Sequence, residues 1–119
     1  MLADTARRKP PVRRPRRGPA DHLRDALVRL GGGHPQVLRH SERAWASVTF
    51  AGTRHSLALV FHGAEAVAAG EAFIDALPEH EFAIPGQLVA DATVSSVHHV
   101  MHPAPRMIVT ATLLLLEDA

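Results

Sequence analysis

At 119 residues, the chain is long enough for one hydrophobic core and too short for two. It contains no cysteine, which excludes a disulfide framework, thiolate catalysis and cysteine-ligated zinc, and which fits a reducing, cytoplasmic compartment. The net charge of +1 is unevenly distributed: residues 1–19 carry seven basic residues against one acid, whereas residues 20–119 carry six arginines against eleven acids. We therefore expect a basic arm followed by one acidic domain.

Residues 1–19 are predicted to form a disordered arm. Four prolines favour extended backbone there, and few apolar side chains are available to bury. The basic residues of the arm could contact nucleic-acid phosphates or an anionic lipid surface; they are Arg7, Arg8, Lys9, Arg13, Arg14, Arg16 and Arg17. No aromatic residue is interleaved with them, so the arm lacks a platform on which bases could stack. A passive, solvated tail is the alternative interpretation.

No membrane-spanning segment is predicted. A membrane helix needs about 20 consecutive apolar residues, and the most apolar tract, Met107 to Leu116, is shorter and is interrupted by Thr110 and Thr112. The arginines of the arm are not followed by the apolar stretch of a secretory signal, because charged residues interrupt the next segment. We therefore expect a protein with no membrane span and no secretory signal.

The ordered part begins with a predicted helix over residues 20–30. Apolar residues recur there at helical spacing, and Asp21 is placed to cap the first turn. Three consecutive glycines, Gly31 to Gly33, follow the helix. Phosphate-binding loops follow a strand and open a helix, so this glycine run predicts the end of a helix and not a phosphate site.

A β-hairpin is predicted after the first helix. From Ala44 onwards apolar and polar residues alternate, and a second alternating segment covers residues 55–62. Gly52-Thr53 between them is typical of a two-residue hairpin turn, which pairs Ala51 with Arg54. Phe50 then lies opposite His55, and the apolar side chains of both strands share one face.

The rest of the chain predicts a second helix and a second hairpin. A helix over residues 63–77 has an apolar stripe that includes Gly70, and Pro78 ends it. Strands over residues 88–102 and 107–117 follow, joined by a proline-rich turn that places His102 opposite Met107. The predicted fold is thus α+β: helix, β-hairpin, helix, β-hairpin, forming a four-stranded antiparallel sheet with a helix packed on one face. The pattern does not predict the strand order.

Four consecutive leucines, Leu113 to Leu116, predict burial on both faces of the sheet, because successive strand residues point to opposite faces. One helix cannot cover both faces, so either the first helix or a second copy of the chain covers the other. We expect a homodimer that buries this face or extends the sheet edge; the candidate interface residues are Trp45, Val60, Leu114 and Leu116. The order of elements is similar in outline to secretion-chaperone-like and roadblock-like dimerising domains, although no motif of either family is present.

Nine histidines are the main chemical anomaly of the sequence. His98, His99 and His102 suggest a metal cluster, but His98 and His99 would point to opposite faces of a strand, and His98 and His102 would lie about 13 Å apart. They cannot bind one ion within a strand. We therefore predict no metal or cofactor, and keep His98, His102 and His55 as candidate ligands. His55 is expected to be a hydrogen-bonded, inward-facing residue near the sheet edge.

No catalytic motif, such as a Gly-x-Ser-x-Gly nucleophile elbow, is present, so no enzymatic activity is predicted. The leading hypothesis is a dimeric module that binds an unidentified protein partner through an open edge or an apolar face. One alternative is a small-ligand or metal-binding domain that uses the region from His98 to His102. Another is non-specific nucleic-acid binding through the arm.

Overall fold

The computed structural model describes residues 17–118, in which two helices accompany a four-stranded antiparallel sheet. The elements are α1 (Pro19–Leu30), β1 (Gln36–Ala46), β2 (Ala51–His62), α2 (Ala64–Ala76), a 3₁₀ helix (Leu77–Glu79), β3 (Gln87–Val100) and β4 (Arg106–Glu117). The predicted α+β fold and order of elements are confirmed. Neither helix of this part of the chain is long and apolar enough to cross a membrane. Residues 1–16 of the predicted arm lie outside the described part of the chain.

The strands are arranged in the order β1-β2-β4-β3, so the two hairpins lie side by side and β2 and β4 are central. Moving β4 ahead of α1 would give the element order β-α-β-β-α-β, which is that of the ferredoxin-like arrangement. The architecture is therefore a circular permutation of that arrangement. Such architectures serve many unrelated functions, so the topology alone does not indicate what this protein does.

Both helices pack on the same face of the sheet, which we call the core face. Leu23 and Leu27 of α1 are fully buried there, together with Phe73 of α2. Alternate side chains of the central strands complete this core; they are Leu57, Leu59 and Phe61 of β2, and Met107, Val109, Ala111, Leu113 and Leu115 of β4. The opposite face, which we call the open face, has no helix over it within residues 17–118.

The predicted two-sided burial of the leucine run is confirmed. Leu113 and Leu115 are fully buried on the core face, and Leu114 and Leu116 are each 8% exposed on the open face. Neighbouring side chains in the sheet bury the latter pair, because no helix reaches them. The neighbouring strands thus cover the open-face pair within one chain, and α1, which packs on the core face, does not cover it. Cover by a second copy stays a prediction.

The predicted turn of the first hairpin is wrong. The turn spans Ser47 to Phe50, where the Ser47 N–H donates to the Phe50 carbonyl at 2.8 Å, and Ala46 pairs with Ala51. Glu42, and not Phe50, therefore lies opposite His55. The observed register allows residues 36–43 to join the sheet, whereas the predicted register leaves their backbone groups unpaired. Phe50 and Val48, expected in the interior, are exposed.

The register of the second hairpin also differs from the prediction. Met107 pairs with His99 instead of His102, and Val97 instead of Val100 lies opposite Val109. The connection between the strands is longer than predicted, and β3 has register shifts between Val89 and Asp91 and between Val94 and Ser96. Bulges of this kind add unpaired residues to one strand and displace all later pairs.

The residue that caps the start of α1 differs from the predicted one. Gly18 is the residue that precedes the helix, and its N–H donates to Asp21 Oδ2 at 3.2 Å. Asp21 is therefore the third helical residue and not the cap. An acidic side chain at this position still suits the positive end of the helix dipole.

Gly52 was predicted to lie in a turn, but it lies within β2. Its lack of a side chain leaves room for the backbone of the neighbouring strand β4. A Cβ atom at this position would overlap the Leu115 carbonyl oxygen, which the sheet holds in place. We predict that Gly52→Ala lowers the free energy of unfolding by about 3 kcal/mol, as measured by urea titration.

Gly70→Ala is the comparison for this variant. Its Cβ atom would meet the flexible end of Met107 and, less closely, the Phe61 ring, and the helix propensity of alanine offsets part of the cost. The loss should therefore be smaller than for Gly52→Ala. Equal or greater loss in Gly70→Ala would contradict the close approach of β2 and β4 at Gly52.

Candidate functional site

All four predicted interface residues lie on the open face. Trp45 is opposite Gly52, which is opposite Leu116, and Val60 is opposite Ile108. Because Gly52 has no side chain, the Leu116 Cδ2 atom lies close to the space that a Cβ would occupy. The four residues therefore share one face of the sheet, as the sequence pattern predicted, although the pairing that it predicted for β1 was wrong.

One end of the open face is apolar. The row of residues across the four strands there consists of Trp45, Gly52, Leu116 and Leu88. Leu88 is 57% exposed, and Phe50 in the adjoining turn is 52% exposed. A cleft between them is lined by these two residues and Leu116, and on its polar side by Thr49, Gln87, Glu117 and Asp118. Exposed apolar surface of this kind is typical of an interaction site.

The neighbouring row carries opposite charges on its two sides. It consists of Arg43, Arg54, Leu114 and Asp91, in the order of the strands. Arg43 and Arg54 lie directly opposite each other, which destabilises a sheet unless an acidic group compensates. Within residues 17–118 neither guanidinium forms an ion pair. Asp91 lies two strands from Arg54, or about 10 Å away.

The middle of the open face carries hydroxyl groups that are hydrogen-bonded within the sheet. Thr112 Oγ1 donates to Ser95 Oγ at 3.2 Å, and Ser95 Oγ donates to the Thr110 carbonyl at 3.1 Å. These hydroxyl donors therefore keep their acceptors when this region is covered. These two hydroxyls can be buried without the full cost of an unpaired polar group.

The edges of the sheet are less suited to binding than its open face. Both edge strands have register shifts, in β1 between Val37 and Arg39 and in β3 at two positions. The two central strands pair with each other without such shifts. Bulges in edge strands hinder pairing with a further strand. The open face is therefore the better candidate for an interaction surface.

A second candidate site lies on the core face, where α1 meets β1 and β2. The His55 side chain is 1% exposed, and its Nδ1 atom lies 2.8 Å from His40 Nε2. On its other side, His40 Nδ1 lies 3.0 Å from a guanidinium nitrogen of Arg24, which also pairs with Asp21. A guanidinium can only donate, so His40 Nδ1 is the acceptor and His40 Nε2 carries the proton donated to His55.

Burial lowers the pKa of both histidines in this chain of hydrogen bonds. The neighbouring His55 and Arg24 lower the pKa of His40 further, whereas Glu42 and Asp21 act in the opposite direction. Glu42 also opposes the lowering of the pKa of His55. Both imidazoles are therefore neutral at neutral pH, which the direction of donation from Arg24 requires.

Of the candidate ligands named from the sequence, His55 belongs to this cluster, whereas His98 and His102 do not. His98 lies on the open face and His99 on the core face, as expected from strand alternation, and His102 lies in the connection after β3. Among residues 17–118, the group of metal-type ligands that lie close together is His40, Glu42 and His55. The His-x-Glu spacing of residues 40–42 could have indicated it, but these residues were not predicted to be in a strand.

Arg17 is the one residue of the predicted basic set that lies in the described part of the chain. Its guanidinium pairs with Asp25 of α1, and both side chains are about half exposed. It also donates to the Asp21 carbonyl at 3.3 Å. Exposed pairs of this kind stabilise a protein little, but Arg17 is attached to α1 and is not a free residue of an arm.

Comparisons with known proteins give little guidance on function. No protein-family model matches this chain, and no curated protein matches it. Among solved structures, the chain is similar to the type 4 fimbrial biogenesis protein PilO from Pseudomonas aeruginosa, with 14% sequence identity and a TM-score of 0.42 over 98% of this chain and 75% of that one. A likeness at this level carries no argument about function. The function has to be inferred from the surfaces of the molecule.

Acid should destabilise the fold through the histidine pair. The pKa of each histidine is lower in the folded chain than in the unfolded chain, so the unfolded chain binds more protons below about pH 6.5. The free energy of unfolding should therefore be highest above about pH 6.5 and should fall as the pH is lowered to about 5.5. Urea titrations across this range, in buffer with a chelator, measure this dependence.

Two variants test the assignment of this pH dependence. His55→Leu removes one of the two buried groups and should show a weaker dependence on pH. A His98→Ala/His99→Ala double variant removes two exposed histidines and should retain the wild-type dependence. A dependence that is unchanged in His55→Leu but lost in the double variant would contradict the role of the buried pair.

Proposed function

We propose that this protein is a protein-interaction module that forms a homodimer by packing the open faces of two copies together. The observation that carries this proposal is the charge pattern of one row of the open face, where Arg43 and Arg54 have no ion-pair partner among residues 17–118 and β3 carries Asp91. Two further arginines, Arg39 and Arg106, lie elsewhere on this face. A row with opposite charges on its two sides can complement the same row of a second copy. The apolar row beside the charged row supplies the hydrophobic part of the interface.

The arrangement follows from a two-fold axis that runs parallel to the strands, between β2 and β4. This axis places β1 of one copy over β3 of the other, and each row of residues over the same row of the second copy. Arg43 then faces Asp91 of the second copy, and Trp45 faces Leu88 of the second copy. An axis perpendicular to the strands would instead place each strand over its own copy and reverse the order of the rows, so Asp91 would not face Arg43 of the second copy. The first arrangement is therefore the one that pairs these two charges.

The size of the open face suits a stable dimer. Four strands about 4.8 Å apart, each about 11 residues long at about 3.3 Å per residue, give a face of about 19 by 36 Å, or about 700 Å². A standard interface buries about 800 Å² on each partner. Two twisted sheets can pack face to face in this way with their strands about 30° apart, as in β-sandwiches.

A charge reversal tests this proposal. Asp91→Arg places a third positive charge in the charged row and removes its only acid. We predict that the full-length wild-type chain sediments as a dimer and that Asp91→Arg raises the dissociation constant of the dimer by at least about 10-fold, equivalent to about 1.4 kcal/mol. The double variant Arg43→Asp/Asp91→Arg exchanges the two charges and should recover most of the lost affinity.

Asp75→Arg is the matched control for this experiment. It makes the same change of charge at an exposed position of α2, which packs on the core face, away from the proposed interface. Its dissociation constant should equal that of the wild type. A wild-type chain that sediments as a monomer at all concentrations, or a double variant as weak as Asp91→Arg, would refute the proposed dimer.

A further inference from the structure

The strands β1 and β2 hold three potential metal ligands on one side of the sheet. His40 and Glu42 are two residues apart on β1 and so share a face, and His55 lies directly opposite Glu42 on β2. One ligand atom from each of the three side chains lies within 4.8 Å of the others. Ligands held by neighbouring strands are positioned more firmly than ligands on loops.

We propose that His40, Glu42 and His55 form a binding site for a divalent transition metal ion, with Zn²⁺ as the ion that suits them best. Two imidazole nitrogens and one carboxylate oxygen are a donor set used by Zn²⁺, with the fourth position left to a water molecule. Imidazole ligands also favour such metals over Mg²⁺ or Ca²⁺, which prefer oxygen ligands. The site is on the core face and does not depend on the proposed dimer.

The ion takes the place of the proton that the two histidines share. Zn–N bonds of about 2.0–2.1 Å in tetrahedral geometry separate the two nitrogens by about 3.3 Å, whereas His40 Nε2 and His55 Nδ1 are now 2.8 Å apart. The two nitrogens therefore need to separate by about 0.5 Å, and each ring has to turn by about 35° so that its lone pair points at the ion and not along the N–N line. His55 is buried and His40 is half-buried, but Glu42 is exposed at the edge of the sheet, so an ion can enter from solvent.

His40 is already in the neutral form that a metal needs. Its Nδ1 atom accepts from the Arg24 guanidinium, which can only donate, so this ring carries a single proton, on Nε2. When His40 Nε2 binds the ion, the proton of this neutral imidazole moves to Nδ1. Nδ1 then no longer accepts from Arg24, which remains paired with Asp21.

Arg24 therefore opposes metal binding, whereas Glu42 favours it. Replacing these two residues should change the metal affinity in opposite directions. Removing Glu42 takes away a ligand and a negative charge. Removing Arg24 takes away a positive charge and the donor that holds His40 in the wrong tautomer. A residue with a purely structural role in the hydrogen-bonded chain would not give opposite effects on metal affinity in these two variants.

The experiment is a titration of metal-free, full-length protein with Co²⁺, followed by visible absorption, and then displacement of Co²⁺ by Zn²⁺. We expect one ion per chain and the intense visible absorption of four-coordinate Co²⁺ with nitrogen ligands. Glu42→Gln should weaken Zn²⁺ binding by at least about 10-fold, and Arg24→Met should strengthen it. Glu42 is exposed, so its replacement is not expected to disturb the fold.

Two control variants separate this site from adventitious binding by other histidines. The His98→Ala/His99→Ala variant and the Asp91→Arg variant should both bind Zn²⁺ as the wild type does, the latter even as a monomer. No Zn²⁺ binding by the wild type, or wild-type affinity in Glu42→Gln, overturns the proposal. Loss of binding in His98→Ala/His99→Ala would also overturn it, because the ion would then occupy exposed strand histidines.

Discussion

The central physical constraint in this fold is that a sheet with apolar residues on both faces is covered on only one face by the helices of residues 17–118. The strand β4 alternates between the core face and the open face, and its four leucines are buried on both. Both α1 and α2 use their apolar surface on the core face. The open face therefore depends on its own side chains, or on a second molecule, to exclude water from Leu114 and Leu116.

The strand β2 connects the two candidate sites. Arg54 and His55 are successive residues, so their side chains lie on opposite faces, one in the charged row and the other in the core. Each is a polar group in an unfavourable place: Arg54 lies opposite another arginine, and His55 is buried among apolar residues. His55 is satisfied by its hydrogen bond with His40, whereas Arg54 has no ion-pair partner within residues 17–118. The proposed dimer brings acidic groups to the charged row, and the proposed metal ion exploits the lone pairs of the histidines.

The features that depend on a local sequence pattern could be predicted from the sequence. The features that depend on contacts between distant parts of the chain could not. Both helices and the burial of Leu113 to Leu116 follow from periodicity, which is a local property. Gly52 was mistaken for a turn residue because Gly-Thr suits a hairpin turn, but its lack of a side chain is required by β4, about 60 residues further along the chain. The first part of β1 was missed because its polar residues, among them His40 and Glu42, lack the apolar alternation of a half-buried strand. The metal-type cluster was missed with it, and the position of α1 on the core face could not be read from its own amphipathic pattern.

The most direct test of the central claim, that a second copy covers the open face, is the fluorescence of Trp45, the single tryptophan of the chain. The proposed dimer places its indole against the second copy, whereas in a monomer it is only partly covered. Emission spectra are recorded as the full-length protein is diluted, with circular dichroism to show that the fold is retained. A shift of the emission to longer wavelength on dilution, at constant secondary structure, is the predicted result. An emission maximum that stays constant from concentrated to highly dilute samples, in a protein that sediments as a monomer, would contradict the account.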